Sequence, residues 1–353
     1  MKFSIVLIFL LLAGYSLMGC AEKVEEYQID VNNDETNQAV NVTVNGQPFT
    51  AYLYTDQVPT LKKPVLFPIY TAGGHAITRA YPLQKVAGER VDHPHHVGSW
   101  LNYGDVNGLD FWNNSGAIPA ERIEEMGAIR HDKIKKMTSG NGRGVLEVSA
   151  SWINAHGQVL LTEDTRFVFR ADKDSRTIDR MTTLTAGDAP VAFNDNKEGM
   201  FAIRVTRALE HPSDKPVELS DAHGQKTDVP VMDNTGVSGN YLSSTGVEGE
   251  DVWAKRAEWV ALRGELDGEK VAVVIFDHPQ NVGYPTYWHA RGYGLFAANP
   301  LGQSVFSEGK EVLNFSLEAN KSVTFKYRTQ ILSQDVDIKK LNTAFDKYTN
   351  EIN

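Results

Sequence analysis

Alternation of apolar and polar residues runs along most of this chain and limits its fold more than any other feature. Residues 40–44 alternate valine with a polar residue, Asn45-Gly46 follows, and a second strand-like run covers 49–54. A period of two is typical of a strand with one buried face, and Asn-Gly favours the tight turn of a two-residue hairpin. The sequence therefore predicts a β-hairpin here.

Similar runs recur through the rest of the chain at a spacing typical of β-sandwiches. Further strands are predicted at 146–152, 165–170, 177–184, 191–193, 200–206, 259–263, 271–276, 313–317 and 323–332. The one predicted helix is C-terminal, where an amphipathic stripe is formed by Val336, Ile338, Leu341, Phe345 and Tyr348. We predict an all-β fold, a single large antiparallel β-sandwich over residues 26–353 with a C-terminal helix.

Two segments, 71–120 and 277–310, hold most of the His, Trp, Gly, Asn and Pro residues and show little periodicity. Long irregular connections in a compact domain are usually functional or disordered, and aromatic-rich ones are rarely disordered. We therefore predict long functional loops in these two segments.

The first twenty residues contain the parts of a secretion signal. Lys2 supplies a positive charge, residues 5–12 form an apolar run too short for a stable membrane span, and Leu17-Met18-Gly19-Cys20 resembles a lipobox. We predict a signal peptide over 1–19 and a lipidated tether over 20–25, with the lipid on Cys20 as the membrane anchor. Ala21 lacks the acidic signal for inner-membrane retention, so we expect an outer-membrane lipoprotein that faces the periplasm or the cell surface.

Cysteine content and charge limit the chemistry of the rest of the chain. Cys20 is the single cysteine, so we expect no disulfide, no thiolate nucleophile and no cysteine metal ligand after it. The net charge of −10 argues against nucleic acid as a partner, because nucleic-acid binding needs a basic stripe. An anionic sugar stays compatible with this charge, since a few local arginines could bind it.

The densest group of candidate catalytic residues is Asp92-His93-Pro94-His95-His96. In an extended segment His93 and His95 share one face and His96 points the other way. Two imidazoles on one face can chelate a metal, or can act as an acid and a base near neutral pH. We predict His95 and His96 as catalytic residues and His93 with His95 as candidate metal ligands. The alternative is a histidine-rich turn whose rings bond only to backbone carbonyls.

A second group of candidates lies between residues 285 and 294. His289 and Tyr293 are predicted catalytic residues, while Trp288 and Arg291 are predicted to bind substrate. Catalytic acids, anion clamps and stacking platforms need these residue types. The alternative is an aromatic plug that closes the end of a sandwich.

The remaining candidates for substrate binding lie outside the 285–294 group. Asp92, Trp100 and Asn113 lie in or near the first group, and Glu198 with Arg204 forms a weaker third one, for which a surface turn with an ion pair is an equally good explanation. Arg79 is a candidate anion binder.

Several motifs together resemble a family of exported bacterial proteins labelled PmoA-like or "methane oxygenase", whose function is largely unknown. The motifs are Asp92 to His96, Gly104 to Gly108 with Phe111-Trp112, Lys197-Glu198-Gly199, and Asp277-His278-Pro279 through Trp288, Arg291 and Tyr293 to Phe296. The resemblance implies a sandwich similar to sugar-binding supersandwich folds and an association with polysaccharide breakdown. The chain departs from the family at Val97, where relatives commonly carry Arg. It also lacks, after the signal, the long apolar runs of a multi-span methane enzyme.

The favoured hypothesis is a carbohydrate-active eliminating enzyme, a lyase or dehydratase that acts on oligosaccharides containing uronic acids. Removal of the proton next to a uronate carboxylate needs a base, groups that stabilise the developing negative charge, and an acid for the leaving oxygen. His95 or His96 would be the base, Arg291 or Arg79 would bind the carboxylate, and Tyr293 or His289 would be the acid.

Two alternatives stay open at this stage. One is a metal-dependent sugar-processing enzyme in which His93 and His95 bind a divalent metal together with His289 or His278. The other is a non-catalytic glycan-binding lipoprotein whose stacking platforms are the rings of Trp100, Trp112 and Trp288.

Overall fold

The computed structural model describes residues 27–352. The predicted signal peptide, the tether over 20–25 and Cys20 lie outside the described residues. Within 27–352, no helix combines the length and the apolarity needed to cross a membrane.

The described part of the chain is built mainly from β-strands, numbered here in chain order. They are β1 Gln28–Asp34, β2 Ala39–Val44, β3 Gln47–Leu53, β4 Val65–Ile69, β5 Ser99–Tyr103, β6 Ala128–Thr138, β7 Gly140–Asn141, β8 Gly144–Ile153, β9 Val159–Ala171, β10 Ser175–Ala186, β11 Val191–Phe193, β12 Gly199–Arg204, β13 Val217–Ser220, β14 Lys226–Val229, β15 Asn240–Ser243, β16 Trp259–Leu266, β17 Glu269–Asp277, β18 Tyr287–Ala290, β19 Leu295–Asn299, β20 Phe315–Leu317 and β21 Ser322–Leu332. The α-helices are α1 Gln303–Phe306 and α2 Ile338–Glu351, and short 3₁₀ turns lie at Ala120–Glu125, Arg207–Leu209 and Gly249–Val252.

Two large antiparallel sheets face each other. One has nine strands in the order β18-β19-β12-β5-β4-β3-β2-β1-β7, and the other has eight in the order β15-β16-β17-β21-β10-β9-β8-β6. Two small sheets pair β11 with β20 and β13 with β14. The predicted all-β antiparallel sandwich is thus confirmed.

The main core fills the space between the two sheets. Val42 and Phe49 from the nine-stranded sheet and Phe169, Val273 and Ile331 from the eight-stranded sheet belong to one buried apolar cluster. Burial of a large apolar side chain contributes roughly 1.5–3 kcal/mol, so this layer is a major source of stability. Because this core uses only the inner face of each sheet, the outer face of each sheet can pack against other parts of the chain.

Both of the most specific local predictions are confirmed. Asn45 and Gly46 have φ values of 50° and 78°, as a two-residue turn with positive φ at both positions requires. The C-terminal helix begins after Asp337, whose Oδ1 accepts a hydrogen bond from the backbone N–H of Lys340 at 2.8 Å. Its apolar stripe, which includes Phe345, packs on the outer face of the eight-stranded sheet.

The two segments predicted as long loops contain three strands of the nine-stranded sheet. β5 lies within 71–120, and β18 and β19 lie within 277–310. Every residue of these strands is buried. A strand that is buried on both faces shows no apolar–polar alternation, so periodicity alone did not predict these three.

Candidate functional site

A row of side chains on the outer face of the nine-stranded sheet forms the floor of the site. Trp100 on β5 pairs with Ala202 on β12, Ala202 pairs with Ala297 on β19, and Ala297 pairs with His289 on β18. Directly paired residues of adjacent strands lie on the same face of a sheet. Because the two central members of the row are alanines, the floor leaves room for larger side chains above it.

The two main groups of candidate residues meet above this floor. The rings of His93 and Tyr293 are parallel, with 5.1 Å between centroids and an interplanar angle of 3°. The other face of His93 lies against His96, with centroids 4.9 Å apart and an angle of 1°. The histidine cluster and the 285–294 segment therefore form a single site.

Asp92 is the charged centre of this site. Its Oδ1 accepts hydrogen bonds from Arg79 Nη1 and Arg204 Nη2, each at 2.8 Å. Burial by itself raises the pKa of Asp92. The contact with His93 and the positive charges of Arg204 and Arg79 outweigh burial and hold the pKa well below its usual value. Asp92 is therefore a carboxylate at neutral pH.

His93 lies directly against this carboxylate. Its Nδ1 lies 3.1 Å from Asp92 Oδ1, an ion-pair distance at which the two groups are not aligned for a hydrogen bond. A proton on the nitrogen that faces the carboxylate leaves the lone pair on Nε2. The side chain is 40% exposed, so a ligand can reach it. The residue has a φ of 43°, a conformation that non-glycine residues rarely adopt and that is often found at functional sites.

Arg79 organises the loop from behind, so its predicted role as a substrate-binding anion clamp is wrong. It is 1% exposed. Besides Asp92, it donates to the backbone oxygens of His93 at 2.9 Å and His96 at 3.0 Å. Arg204 is equally buried and contacts Asp92, His96 and the face of the Tyr293 ring, so it too acts through neighbouring side chains.

The environment of His96 contradicts its predicted role as a base. Trp112 Nε1 donates to its Nε2 at 3.1 Å, and Arg204 Nη1 lies 3.2 Å from its Nδ1. Both ring nitrogens thus face donors, which leaves no room for a second ring proton. Burial, followed by the charges of neighbouring groups, lowers the pKa of His96 far below its usual value. His96 is a buried neutral ring that supports His93.

His95 is half-buried beside these rings. Among the described residues, its ring nitrogens have no hydrogen-bond partner, and its centroid lies 4.3 Å from that of His96. Burial and the charge of Lys63 lower its pKa, so the ring is neutral and a weak base at pH 7. Lys63 Nζ donates to the backbone oxygen of His95 at 2.8 Å and holds the loop from below.

Tyr293 and Arg291 form the open side of the site. Burial raises the pKa of Tyr293, against the opposing charges of Arg204 and Arg291, so the phenol keeps its proton at neutral pH. The guanidinium carbon of Arg291 lies 5.8 Å from the ring centroids of both Trp253 and Tyr293. The Arg291 side chain is exposed and its guanidinium makes no hydrogen bond within residues 27–352. It is therefore available to an anion.

His289 and Glu198 lie next to each other at the floor of the site. His289 Nδ1 lies 2.9 Å from the backbone oxygen of Lys197 and 3.7 Å from Glu198 Oε2. Burial and the charges of Lys197 and Arg291 lower the pKa of His289 to about 3, so the ring stays neutral. The backbone oxygen of Lys197 only accepts, so the single proton of this ring is on Nδ1 and is engaged there. It is not free to protonate a leaving oxygen, which contradicts the predicted role of His289 as the acid. Glu198 forms an ion pair with Lys197.

The predicted aromatic platforms do not reach a ligand. The side chains of Trp100, Trp112 and Trp288 are 0% exposed. Trp288 faces the core between the two sheets, and Trp100 and Trp112 pack under the histidine loop. Trp100 and Trp288 are thus corrected from substrate-binding residues to core residues. Asn113 bonds to Asp110 and stabilises its own turn.

A metal site with the predicted ligands is not formed by the described residues. Within 27–352, no group of three or more His, Cys, Asp and Glu side chains has a geometry that could hold a metal ion. His278, one of the two candidates for the third ligand, packs its ring on Tyr348 of α2 instead. A divalent metal cofactor stays an untested prediction.

A cavity of about 420 Å³ opens beside Tyr293 and is named here the anion cavity. Its lining includes Arg90, His211, Lys215, Arg291 and Tyr293, and also the carboxylates of Asp214 and Glu250. The sequence did not predict Arg90 or His211. The position of Arg90, two residues before Asp92, was the available signal. His211 lies in an irregular loop with no motif around it.

Both unpredicted residues present polar atoms to this cavity region. Arg90 Nε donates to the buried Glu210 Oε2 at 2.6 Å, while its Nη1 has no hydrogen-bond partner within residues 27–352. His211 Nδ1 lies 3.1 Å from the backbone oxygen of Gly239. That oxygen only accepts, so the ring proton is on Nδ1 and Nε2 is an acceptor.

The comparisons with known proteins give a family but no activity. A sequence profile described as "Family of unknown function (DUF6807)" matches residues 39–346. No curated protein sequence matches the chain.

Similar solved structures are distant. A GH36 α-galactosidase of Geobacillus stearothermophilus has 9% identity and a TM-score of 0.39, over 88% of this chain and 41% of that one. The chain thus spans about two fifths of the length of this enzyme. A galactose mutarotase-like protein of Clostridium acetobutylicum has 10% identity and a TM-score of 0.39, over 88% of this chain and 99% of that one. A galactose 1-epimerase of Lactobacillus acidophilus has 7% identity and a TM-score of 0.37, over 89% and 100%. These likenesses are too weak to carry an argument about activity.

Proposed function

The chain belongs to the DUF6807 family, whose function is unknown, and we propose from the chemistry of its site that it is a carbohydrate-active eliminating enzyme acting on uronate-containing oligosaccharides. The observation that carries the proposal is the parallel pair of His93 and Tyr293, with a carboxylate behind the histidine and an open guanidinium beside the tyrosine. Elimination next to a carboxylate needs a base, an acid and a cation in this kind of proximity.

In the proposed reaction His93 replaces His95 and His96 as the base. Its Nε2 takes the proton from the carbon that bears the uronate carboxylate (C5), and Asp92 stabilises the imidazolium that forms. The C–H electron pair becomes the C4–C5 double bond, and the bond between C4 and its oxygen substituent breaks. The leaving oxygen takes a proton from the Tyr293 hydroxyl, and both side chains then return to their starting protonation states through water.

Arg291 and Arg90 are the proposed carboxylate binders. The exposed guanidinium of Arg291 can form a bidentate hydrogen-bonded pair with a carboxylate and stabilise the charge that develops on it as C5 loses its proton. Arg90, whose Nε and Nη2 are already engaged, can add a single hydrogen bond from Nη1. His211 Nε2 on the same cavity can accept a hydrogen bond from a sugar hydroxyl. The lyase and dehydratase versions differ only in whether the leaving oxygen carries a sugar or a hydrogen atom.

The test is an absorbance assay for the unsaturated uronyl product. Purified protein is incubated with a panel of uronate-containing oligosaccharides, with and without a chelator, so that a metal requirement is detected in the same experiment. We expect a rise in ultraviolet absorbance with at least one substrate. Tyr293→Phe should lower the rate by about 10²–10⁴-fold, the usual contribution of an acid–base group. No rise with any substrate, or an unchanged rate in the variant, would exclude the proposal.

A further inference from the structure

A second cavity of about 450 Å³ lies next to the anion cavity and is named here the apolar cavity. Its walls include Pro216, Val217, Val229 and Pro230, which come from the β13–β14 hairpin and its flanks. Asp92 also lines it. None of the steps proposed above uses this space.

The two cavities adjoin at Arg90 and Pro216, which line both of them. Tyr293 lines the anion cavity and Asp92 lines the apolar cavity, while His93 contacts the ring of the first and the carboxylate of the second. A substrate that reacts at His93 can therefore extend from one cavity towards the other.

The two cavities differ in the charges that line them. In the anion cavity Arg90 is paired with Glu210, and the cations of Lys215 and Arg291 stand against the carboxylates of Asp214 and Glu250. Apart from the shared Arg90, the apolar cavity has only carboxylates among its charged residues, Asp92, Glu218 and Asp228. Asp92 is paired with Arg79 and Arg204, and Glu218 is paired with Lys226, whereas Asp228 has no ion-pair partner within residues 27–352. The carboxylate of Asp228 would therefore repel a second anionic sugar in this cavity.

We propose that the apolar cavity is the binding subsite for the leaving group, and that this group is an uncharged sugar linked to O4 of the uronate. This inference rests on the proposed function and adds its substrate class. The C–H face of an uncharged pyranose packs on the valine and proline side chains, and Asp228 accepts hydrogen bonds from its hydroxyls. The preferred substrate is thus a mixed oligosaccharide of a neutral sugar and a uronate, and a polymer of uronate alone is a poor one.

Binding measurements separate this inference from the reaction itself. Isothermal titration calorimetry in the Tyr293→Phe background, which prevents turnover, compares free glucuronate with a neutral-hexosyl-(1→4)-glucuronate disaccharide. We expect Val217→Trp to fill the apolar cavity and to weaken disaccharide binding about tenfold or more, with glucuronate binding unchanged. Val159→Trp, at an exposed valine that begins β9, is the matched control and should change neither.

A charge change gives a second and opposite readout. Asp228→Lys should strengthen the binding of a uronate–uronate disaccharide by roughly 1.5- to 5-fold, the range measured for single surface charge pairs, and leave glucuronate binding unchanged. This exposed residue is a safe site for substitution, so the result does not depend on whether the Val217→Trp variant folds. Unchanged disaccharide affinity in both variants would overturn the inference.

The outcomes of the two proposals are distinguishable. If the disaccharide binds in the apolar cavity and no unsaturated product forms, the proposed reaction fails and the subsite stands. If product forms at a rate that Val217→Trp does not alter, the reaction stands and the leaving-group subsite is excluded.

Discussion

The imidazole ring of His93 lies parallel to the phenol ring of Tyr293, at 5.1 Å between centroids, although the two residues are 200 positions apart in the chain. The loop that carries His93 is held by Arg79, and Tyr293 lies in the turn between β18 and β19 with its ring against the guanidinium of Arg204. Two buried arginines therefore fix the distance between the proposed base and the proposed acid.

Arg79 has a structural role, which predicts a loss of stability when it is replaced. Arg79→Ala leaves Asp92 with one buried partner fewer and frees the carbonyls of His93 and His96. We expect the free energy of unfolding to fall by about 3–5 kcal/mol, as when one member of a buried ion pair is removed. Urea unfolding measures it. The control is Arg122→Ala, at an exposed i,i+3 ion pair, which should change the free energy of unfolding by less than about 0.5 kcal/mol. An equally small change for Arg79→Ala would contradict the structural role of Arg79.

Replacement of Arg291, unlike that of Arg79, should affect substrate binding and leave stability nearly unchanged. Its exposed guanidinium makes no hydrogen bond within the described chain, so Arg291→Ala should alter the free energy of unfolding by no more than about 0.5 kcal/mol. Loss of a charge-assisted contact to a carboxylate should raise KM for a uronate substrate by roughly 10- to 100-fold. Steady-state kinetics with a uronate and with its methyl ester tests this. Because the ester lacks the negative charge, its KM should change little between the natural chain and Arg291→Ala. Equal losses with both would show that Arg291 does not bind the carboxylate.

Arg79 and Arg291 illustrate how much of this site the sequence could predict. Both were candidate anion binders, since sequence spacing alone could not say which one faces solvent. That difference arises from the pairing of β5, β12, β18 and β19, in which long-range contacts decide what each side chain meets. The two alanines of the site floor, Ala202 and Ala297, carry no chemical signal in the sequence.

The fold was more predictable than the site because strand and turn signals are local. The Asn45-Gly46 hairpin and the C-terminal helix follow from a period and a turn residue. The histidine cluster was also recognisable from its density, but His93 and His95 could not be ranked as bases without the position of Asp92 Oδ1. The lipid anchor on Cys20 and the resemblance to PmoA-like proteins stay predictions.

His96 should make stability depend on pH. Its pKa lies far below the unfolded value of about 6.5, so below pH 6.5 the unfolded chain binds a proton that the folded chain does not. Stability is therefore lost as pH falls below 6.5, by about 2 kcal/mol at pH 5 for this one residue. His96→Gln should reduce the difference in unfolding free energy between pH 7 and pH 5 by that amount. His156→Gln, at an exposed ring, should leave the difference nearly unchanged, and a similar result for His96→Gln would refute the buried neutral ring.

Lys63 should act on stability at higher pH. Burial lowers its pKa to about 7, against about 10.4 in an unfolded chain. Between these values the unfolded chain holds a proton that the folded chain has released, so stability rises with pH, by up to about 1.4 kcal/mol per pH unit. Lys63→Met keeps the length of the side chain and should remove this rise between pH 7 and 9. The same slope in the variant and in the natural chain would show that Lys63 stays charged when folded.

The proposed reaction depends on His93 taking the proton from C5 of the uronate. The most direct test is the initial rate of unsaturated-product formation by His93→Asn, compared at pH 7 with the natural chain and with His156→Asn. We expect a rate about 10²–10⁴-fold lower for His93→Asn, with the fold intact by circular dichroism, and an unaltered rate for His156→Asn. A His93→Asn variant that forms product as fast as the natural chain would contradict it.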